Sequence, residues 1–422
     1  MDAKIVSLAI FILSYILFVI LPKKRSLVAV VGAILLVLSQ TLSLKDAFLA
    51  INWNVMGIFV GTLAVADIFM VSRVPAYLAE LIVDRARNTC WAILYICLLT
   101  GFISAFVENV ATVLIVAPIA LALARKLKIN PTHMMFAIAI SSNLQGTATL
   151  IGDPPSMLLG GFARMTFWDF FFYKGKPSIF FAVELGALAS FPVLYFVFRK
   201  EREKVKLIAV EKVKSWTPTV ILVSLIILLA LSSFFDTGFS YMAGIICMAF
   251  GIISLVWAKA FHKAEIIKSV KNLDWDTTLF LAGIFIIVGS ITSTGWIKTI
   301  ADSLSGVVGK NIFLGYSVIV FLSVAISAFV DNVPFLAAML PVAISMSQTL
   351  GLSPSLFLFG LLIGTSLGGN ITPIGASANI VACGLLRKEG HPVRFMEFMK
   401  IGLPFTLAAV FAAYLFIWFV WK

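Results

Sequence analysis

Two acidic residues stand inside long apolar runs and are the first candidates for chemistry. Glu108 lies in SAFVENVATVLIVAPIA and Asp331 in SAFVDNVPFLAAMLPVA, and each is followed by an asparagine, Asn109 or Asn332. A carboxylate at the centre of a membrane helix costs about 2.5–3.5 kcal/mol, so it persists where it binds a cation or a proton or pairs with another group. We therefore expect these four residues to bind a coupling ion, H⁺ or Na⁺. The alternative is a protonated acid that only shapes the turn.

A second pair of motifs has the composition of an interrupted membrane helix. NLQGTATLIGDPPS spans residues 143–156 and SLGGNITPIGASAN spans residues 366–379. Proline removes a backbone donor and glycine frees the backbone, so we expect both helices to break and to present polar groups to a ligand. The predicted substrate-binding side chains are Asn143, Thr147, Thr149, Ser156, Ser366, Asn370, Thr372, Ser377 and Asn379. A packing seam of small residues between helices is the alternative.

Asp153 lies within the first interrupted motif and leaves two roles open. It could be a third coupling acid, or it could cap the half-helix that begins at Pro154. The second motif has Ala376 at the matching position, so the predicted site is symmetric only in outline. Arg164 is the nearest basic residue after the motif, and it could contact an anionic substrate or mark the outer interface.

These motifs belong to an internal repeat. Residues 91–156 match residues 314–379 at a constant offset of 223 without a gap. We therefore expect two homologous halves, 1–200 and 216–422, joined by a charged cytoplasmic linker at 201–215. Each half should contain a re-entrant hairpin (91–124 and 313–350) and a broken helix (133–172 and 356–386).

The composition places both halves in a membrane. Of the 422 residues 61% are hydrophobic and 12% charged, and the mean hydropathy is +1.06, whereas soluble domains are about 45–50% apolar and 25% charged. Apolar blocks long enough to cross as helices, without strand alternation, predict an all-α polytopic protein with about five crossings per half. Expected crossings include 27–42, 133–151 and 356–374, and segments 72–88 and 295–311 are expected to lie in the interface.

Charge and motif content narrow the class of protein further. The net charge is +12, but the basic residues are scattered between apolar blocks, so no nucleic acid partner is expected. With five crossings per half and the N-terminus outside, most of the 32 Lys and Arg residues face the cytoplasm, which predicts halves of inverted topology. No phosphate-binding loop is present, and the spacing of the four cysteines and three histidines predicts neither disulfides nor a metal site beyond Na⁺ at the two acid–asparagine pairs. No cofactor is expected.

The quoted motifs, with GGNITPIGASANIVACGLL, resemble the arsenite permease, sodium–proton antiporter and melanosomal P protein branch of the ion transporter superfamily. More distantly they resemble the divalent anion:sodium symporters, whose hairpin tips carry Ser-Asn-Thr where this chain has Glu108-Asn109-Val110 and Asp331-Asn332-Val333. The resemblance implies a homodimer whose transport domain of hairpins and broken helices moves like an elevator. A fixed acid at each tip would suit a cation and repel a dianion.

The residues and the resemblance together predict a secondary active transporter and not an enzyme. The leading hypothesis is an H⁺- or Na⁺-coupled permease for a small anion or oxyacid such as arsenite, with a Na⁺/H⁺ antiporter as the alternative. A passive channel or a receptor without transport is the alternative of another class. Expected partners are the substrate, membrane lipid, a second copy of the chain and, on the basic linker, a cytosolic ATPase. The expected location is the cytoplasmic membrane of a prokaryote.

Overall fold

The computed structural model is almost entirely helical and describes residues 2–127, 129–203, 212–262, 266–308 and 311–422. Within these ranges the helices form two successive sets of ten. The first set is α1 Ala3–Ile20, α2 Arg25–Leu38, α3 Leu44–Ala50, α4 Trp53–Val71, α5 Val74–Asp84, α6 Thr89–Ser104, α7 Asn109–Leu127, α8 Thr132–Gly146, α9 Pro154–Ala163 and α10 Ile179–Phe198. The second set is α11 Thr217–Ser232, α12 Met242–His262, α13 Ile266–Asn272, α14 Trp275–Ser293, α15 Trp296–Val308, α16 Ile312–Ser327, α17 Asn332–Thr349, α18 Ser355–Gly368, α19 Ser377–Lys388 and α20 Phe395–Trp421.

Short elements complete the described chain. Three 3₁₀ turns lie at Pro22–Lys24, Trp168–Phe170 and Gly369–Ile371. Two-residue strands, β1 Phe172–Tyr173 and β2 Lys176–Pro177, pair antiparallel, with Phe172 opposite Pro177 and Tyr173 opposite Lys176. Trp421 at the end of α20 donates to the carbonyl of Pro177 at 3.1 Å, so this hairpin is tied to the last helix.

The second set of helices repeats the first in order and kind. In each set a helical hairpin (α6–α7, α16–α17) precedes a helix that stops and restarts (α8–α9, α18–α19). We call residues 105–108 and 328–331 tip 1 and tip 2, and residues 147–153 and 369–376 break 1 and break 2. The predicted all-α polytopic class is confirmed, and the inverted orientation of the halves stays a prediction.

Within the described part of the chain, seven helices are long and apolar enough to cross a membrane: α1, α4, α7, α10, α12, α14 and α20. Helices α6, α11, α16 and α18 are apolar but shorter. Helix α2 was expected to cross as 27–42, but it ends at Leu38 because Gln40 adopts a left-handed backbone with φ of 58°. Its 14 residues extend about 21 Å, less than the roughly 30 Å hydrocarbon core.

Two expected boundaries also differ at the broken helices. Helices α8 and α18 stop at Gly146 and Gly368, so neither continues to residue 151 or 374 as the uninterrupted crossings would. The first broken helix was expected to run to residue 172, but α9 ends at Ala163 because Arg164 has a left-handed φ of 55°. The sequence after it forms the 3₁₀ turn and the strands.

Small residues allow helices of the two halves to pack closely. A Cβ on Gly283 of α14 would lie 2.7 Å from Ala29 of α2, and a Cβ on Gly61 of α4 would lie 2.2 Å from Cys247 of α12. Helix α7 packs against α19 and α17 against α9, so each hairpin contacts the second half-helix of the other half. The tips and breaks therefore meet in one central region.

The expected linker and interface segments are described only in part. Residues 204–211 of the linker lie outside the described residues, as do residues 309–310 of the second interface segment. The described linker ends are anchored, since Thr89 donates to the carbonyl of Glu203 at 2.9 Å and Lys214 to that of Ser72 at 3.0 Å. The two interface segments form α5 and α15.

Candidate functional site

Each predicted acid starts the second helix of a helical hairpin. Glu108 accepts a hydrogen bond from the backbone N–H of Ala111 at 3.0 Å, in the first turn of α7. Asp331 is the N-cap of α17 and accepts from the N–H of Val333 at 3.0 Å. Free N–H groups and the positive end of the helix dipole favour a carboxylate at this place. Capping therefore fixes both carboxylates at the hairpin tips.

A matching threonine holds each break against the tip of its own half. The hydroxyl of Thr149 donates to the carbonyl of Ala105, and that of Thr372 donates to the carbonyl of Ala328. Both threonines are fully buried. These two predicted substrate-binding side chains are thus occupied in equivalent contacts within the protein.

A pair of glycines closes each break on itself. A Cβ on Gly152 would lie 2.3 Å from the carbonyl oxygen of Gly146, and one on Gly375 would lie 2.5 Å from that of Gly369. Real Cβ atoms do not approach a backbone oxygen so closely, so only glycine fits at these positions. The glycines allow the chain to turn within a helix diameter and to bring polar side chains from both sides of the break together.

A chain of buried amides crosses from one half of the protein to the other. Asn109 at the start of α7 donates to Asn143 of α8 at 3.0 Å, and Asn143 donates to Asn379 of α19 at 2.9 Å. Asn379 in turn donates to the carbonyls of Gly369 and Thr372 in break 2, at 3.0 and 2.9 Å. The predicted residues Asn109, Asn143 and Asn379 are therefore brought together in one network.

The equivalent position in the second half is incomplete. Ser366 stands where the first half has Asn143, and its shorter side chain carries a hydroxyl with no hydrogen-bond partner. Oδ1 of Asn370 and Oγ1 of Thr365 are also buried without a partner among the described residues. A buried polar atom left unpaired costs about 1–3 kcal/mol. All three unpaired oxygens belong to residues at the end of α18 or the start of break 2.

Asn332 lies against the backbone on both sides of break 2. Its side-chain amide packs against Gly369, since a Cβ built on that glycine would lie 2.9 Å from Oδ1 of Asn332. With the amide nitrogen turned toward backbone oxygens, it donates to Gly375 at 3.1 Å and to Thr365 at 3.3 Å, and it also contacts Ser327. Asn332 thereby ties tip 2 to both sides of break 2.

Asp153 caps a helix in this structure. One carboxylate oxygen accepts from the backbone N–H of Ser156 at 2.8 Å, and the other accepts from the hydroxyl of Thr147 at 3.3 Å. Ser156 donates in return to the carbonyl of Thr147 at 3.3 Å. In the second half Ala376 precedes α19 and provides no side-chain cap. Of the two roles predicted for Asp153, helix capping is therefore the one whose contacts are present.

Asp331 has a partner that sequence reasoning missed. Arg25, the first residue of α2, forms an ion pair and a hydrogen bond with its carboxylate. The same guanidinium donates to Thr277 at 3.0 Å, lies 3.7 Å from the carboxylate of Asp276 and covers the ring of Phe280 at 5.1 Å. The prediction treated both acids as equivalent and gave neither of them a basic partner. A signal was available in the equivalent segments NWN (residues 52–54) and DWD (residues 274–276), since the extra acids of the second half call for a cation.

The remaining predicted features stay outside this network. Ser377 is half-buried at the start of α19, and Arg164 is exposed at the end of α9. Within the described residues no cluster of three or more His, Cys, Asp or Glu side chains is arranged to hold a metal ion. The cation ligands available at the tips are therefore carboxylate, amide and hydroxyl oxygens.

A cavity lies apart from the predicted substrate site. It encloses about 820 Å³ between the start of α1, the ends of α9 and α14, and α3. Asp2, Lys4, Asp46, Asn52 and Thr294 contribute its polar lining. None of the predicted substrate-binding side chains is among its described lining residues, and all of them except Ser377 are buried.

Proteins of similar sequence include membrane transporters, which agrees with the all-α polytopic fold. The chain is 29% identical over 425 residues to an uncharacterized transporter of Mycobacterium tuberculosis, with 98% of both chains covered. It is 25% identical over 469 residues to the P protein of Mus musculus, covering 91% of this chain and 56% of that protein. The predicted resemblance to the P protein branch is thereby confirmed.

Solved structures of transporters share the fold. The YdaH transporter of Alcanivorax borkumensis aligns with a TM-score of 0.60 at 14% identity, over 86% of this chain and 84% of that one. MtrF of Neisseria gonorrhoeae, described as one of a class of antimetabolite efflux pumps, aligns with a TM-score of 0.59 at 15% identity, over 92% and 84%. The model of the citrate transporter family matches residues 15–364. The chain therefore belongs to the citrate transporter family of the ion transporter superfamily and is a multi-pass membrane transporter.

Proposed function

We propose that this transporter is driven by H⁺ or Na⁺ bound at the hairpin tips and moves a small oxyacid or carboxylate through the central polar region. The observation that carries the proposal is that side-chain oxygens of Thr365, Ser366 and Asn370, at the end of α18 and the start of break 2, are buried without a partner among the described residues. Three such atoms together would cost several kcal/mol if nothing ever occupied them. A bound cation, or a solute with hydroxyl groups, would satisfy them.

The acids define where the coupling ion binds. Glu108 with Asn109 and Asp331 with Asn332 provide carboxylate and amide oxygens at tips that contact the breaks. Because a proton and a Na⁺ ion compete for the same carboxylate, each tip can couple one ion to movement of the hairpin. We extend the elevator-like displacement and the homodimer implied by the resemblance to this chain as part of the proposal.

The solute is constrained by the charge of the site. Arsenous acid is neutral at pH 7 and would bind through the hydroxyl and amide groups of the breaks. Citrate is the substrate in the family's name, but a bare polyanion would be repelled by Glu108 and Asp331, so it would have to travel with cations. The proposed solute class is therefore a neutral oxyacid or a carboxylate whose charge is compensated by bound cations.

A Na⁺/H⁺ antiporter is the second candidate. It is favoured by the presence of a carboxylate at both tips, since exchange requires only groups that bind either ion in turn. In that case the unpaired oxygens beside break 2 would complete the shell of a Na⁺ ion and no separate solute site would be needed.

Flux measurements in sealed proteoliposomes separate these functions. A trapped pH dye reports proton movement when Na⁺, Li⁺ or K⁺ is added outside, and labelled arsenite or citrate reports uptake under imposed H⁺ or Na⁺ gradients. The variants are Glu108→Gln and Asp331→Asn, with Glu389→Gln as the control because that acid pairs with Arg125 at the surface.

Each result points to one function. Gradient-driven uptake of arsenite or citrate that is lost in both tip variants supports the proposed permease. Proton movement on addition of Na⁺ alone, lost in the same variants, supports the antiporter. Flux that cannot be driven uphill would indicate a channel, and flux that survives both tip substitutions would contradict the assignment of the coupling site.

A further inference from the structure

The two tips differ in the cation that neutralises them. Asp331 at tip 2 is paired with Arg25, whereas among the described residues no basic side chain lies within salt-bridge distance of Glu108 at tip 1. The packing of equivalent helices shows why. In the second half Gly283 of α14 faces Ala29 of α2, and at the equivalent place in the first half Gly61 of α4 faces Cys247 of α12. One helical turn before these contact residues, α2 carries Arg25 whereas α12 carries Ala243.

Arg25 can stay in place without Asp331. Its guanidinium also donates to Thr277, lies near the carboxylate of Asp276 and rests on the ring of Phe280. Planar guanidinium groups stack on aromatic faces and share several donors among partners. A small rotation can therefore transfer Arg25 from Asp331 to Asp276 while it remains bound to the same helix.

The local charge balance leaves room for a further cation. The guanidinium of Arg25 lies within ion-pair distance of the carboxylates of Asp276 and Asp331. Thr277, which accepts from Arg25, donates at 2.6 Å to a third carboxylate, that of Asp274. The net charge of this group is negative when all three acids are ionised. A second cation entering at Asp331 would bring the group closer to neutrality and would release Arg25 to the acids of α14.

Tip 2 is also held by a second contact from the same side. The hydroxyl of Tyr15 in α1 donates to the carbonyl of Pro334 in the first turn of α17 at 2.7 Å. Helices α1, α2 and α14 pack together, so Tyr15 and Arg25 attach the tip to one packed group of helices. Release of Arg25 removes the charged half of this attachment.

We propose that Arg25 is an internal competing cation: it occupies Asp331 when the transporter is empty, opposes cation binding there, and moves onto Asp276 and Thr277 when a cation binds. Arg25 thereby sets the cation affinity of tip 2 and couples its occupancy to the attachment of the hairpin. This inference rests on the proposed binding of the coupling ion at Asp331. Tip 1 lacks the device.

Cation titration of the purified full-length protein in detergent tests the competition. The four cysteines are buried, so their reaction with a thiol dye reports unfolding, and the midpoint is followed with increasing NaCl at constant ionic strength made up with choline chloride. We expect Arg25→Gln to lower the half-maximal Na⁺ concentration at least tenfold, and Arg25→Lys to lower it less. Arg125→Gln removes a different arginine–carboxylate pair, that with Glu389, and should leave the half-maximal Na⁺ concentration unchanged. If wild type and both Arg25 variants have the same half-maximal Na⁺ concentration, the proposal is overturned.

Hydrogen exchange gives a readout that does not depend on coupling. Amides of residues 329–333 should exchange faster in Arg25→Gln than in wild type without Na⁺, whereas those of residues 106–111 at tip 1 should not change. If Arg25→Gln does not fold, Arg25→Lys serves for the same comparison. If Na⁺ has no effect on any variant, Na⁺ coupling at Asp331 is excluded and only the proton-coupled form of the proposed function is left there. In that case faster exchange at tip 2 would still support the attachment by Arg25, and equal exchange would overturn it.

Discussion

Replacing Asn143 by alanine removes the central amide of the chain that joins the two halves. Asn143 is 2% exposed, accepts from Asn109 and donates to Asn379. Its loss leaves a donor on Asn109 and an acceptor on Asn379, both buried, without partners. The perturbation thus acts on two helices of the first half and one of the second.

The magnitude follows from those two orphaned atoms. At about 1–3 kcal/mol for each unsatisfied buried group, the free energy of unfolding should fall by about 2–6 kcal/mol. Interhelical hydrogen bonds in membrane proteins average only about 0.6 kcal/mol each, which sets a floor near 1 kcal/mol for two. We expect a loss of about 2–4 kcal/mol, because the side chain volume is lost as well.

Ser366 provides the matched control at the equivalent position. Its hydroxyl is buried without a partner, so Ser366→Ala removes no hydrogen bond and relieves an unpaired oxygen. We expect its stability to equal or slightly exceed that of wild type. If Ser366 contacts the transported ion or solute, Ser366→Ala should nevertheless reduce flux.

Thermal unfolding of both variants in detergent, read by labelling of the buried cysteines, decides the question. In the ligand-free protein we expect Asn143→Ala to be destabilised and Ser366→Ala to be at least as stable as wild type. Equal destabilisation of both variants, or no change in Asn143→Ala, would refute the assignment of the amide chain as the brace between the halves.

Three further outcomes follow from the geometry. Gly152→Ala places a Cβ against two backbone carbonyls and should abolish folded expression, whereas Gly384→Ala, with no neighbour within 4 Å, should express normally by size-exclusion profile. Asp153→Asn retains a capping side chain and should keep transport, while Asp153→Ala should lose about 0.5–2 kcal/mol of stability; loss of flux in Asp153→Asn would instead mark a coupling acid. Burial alone would raise the pKa of the Asp236 carboxyl between α11 and α12, but hydrogen bonds from the backbone of residues 240–242 outweigh it and hold the pKa below its usual range. Its stabilisation of that loop should be complete above about pH 4 and disappear as the pH falls through the lowered pKa, and protection of the loop amides that is lost already near pH 6 would contradict this.

Much of the helical plan was predictable because it depends on local chemistry. Gly, Pro and polar residues inside apolar runs predicted the breaks, and acids followed by asparagine predicted the hairpin tips. The early end of α2 at Leu38 was missed although residues 39–41 are polar, because the left-handed turn at Gln40 carries no glycine to mark it. The end of α9 at Arg164 was missed for the same reason.

Contacts between distant residues were beyond sequence reasoning. Asn143 and Asn379 were both predicted to line the site, but their direct hydrogen bond depends on how α8 and α19 pack. Arg25 and Asp331 are separated by most of the chain, and a positive charge beside an apolar helix is more often a topology signal than an ion-pair partner. Periodicity and motifs identify the elements, whereas pairing across halves is decided by tertiary packing.

The two halves differ mainly at positions of one kind, namely polar side chains that could contact a ligand. Contacts that shape the backbone are kept, since Thr149 and Thr372 donate to equivalent carbonyls. Polar positions that could meet a ligand differ: Asn143 is fully paired where Ser366 is not, and Glu108 lacks the arginine that Asp331 has. A half whose polar groups are satisfied internally gains little from a ligand, while a half with unpaired oxygens and a displaceable cation gains much. Because a ligand shifts an equilibrium only by its differential affinity for the two states, the second half is where occupancy should be converted into movement.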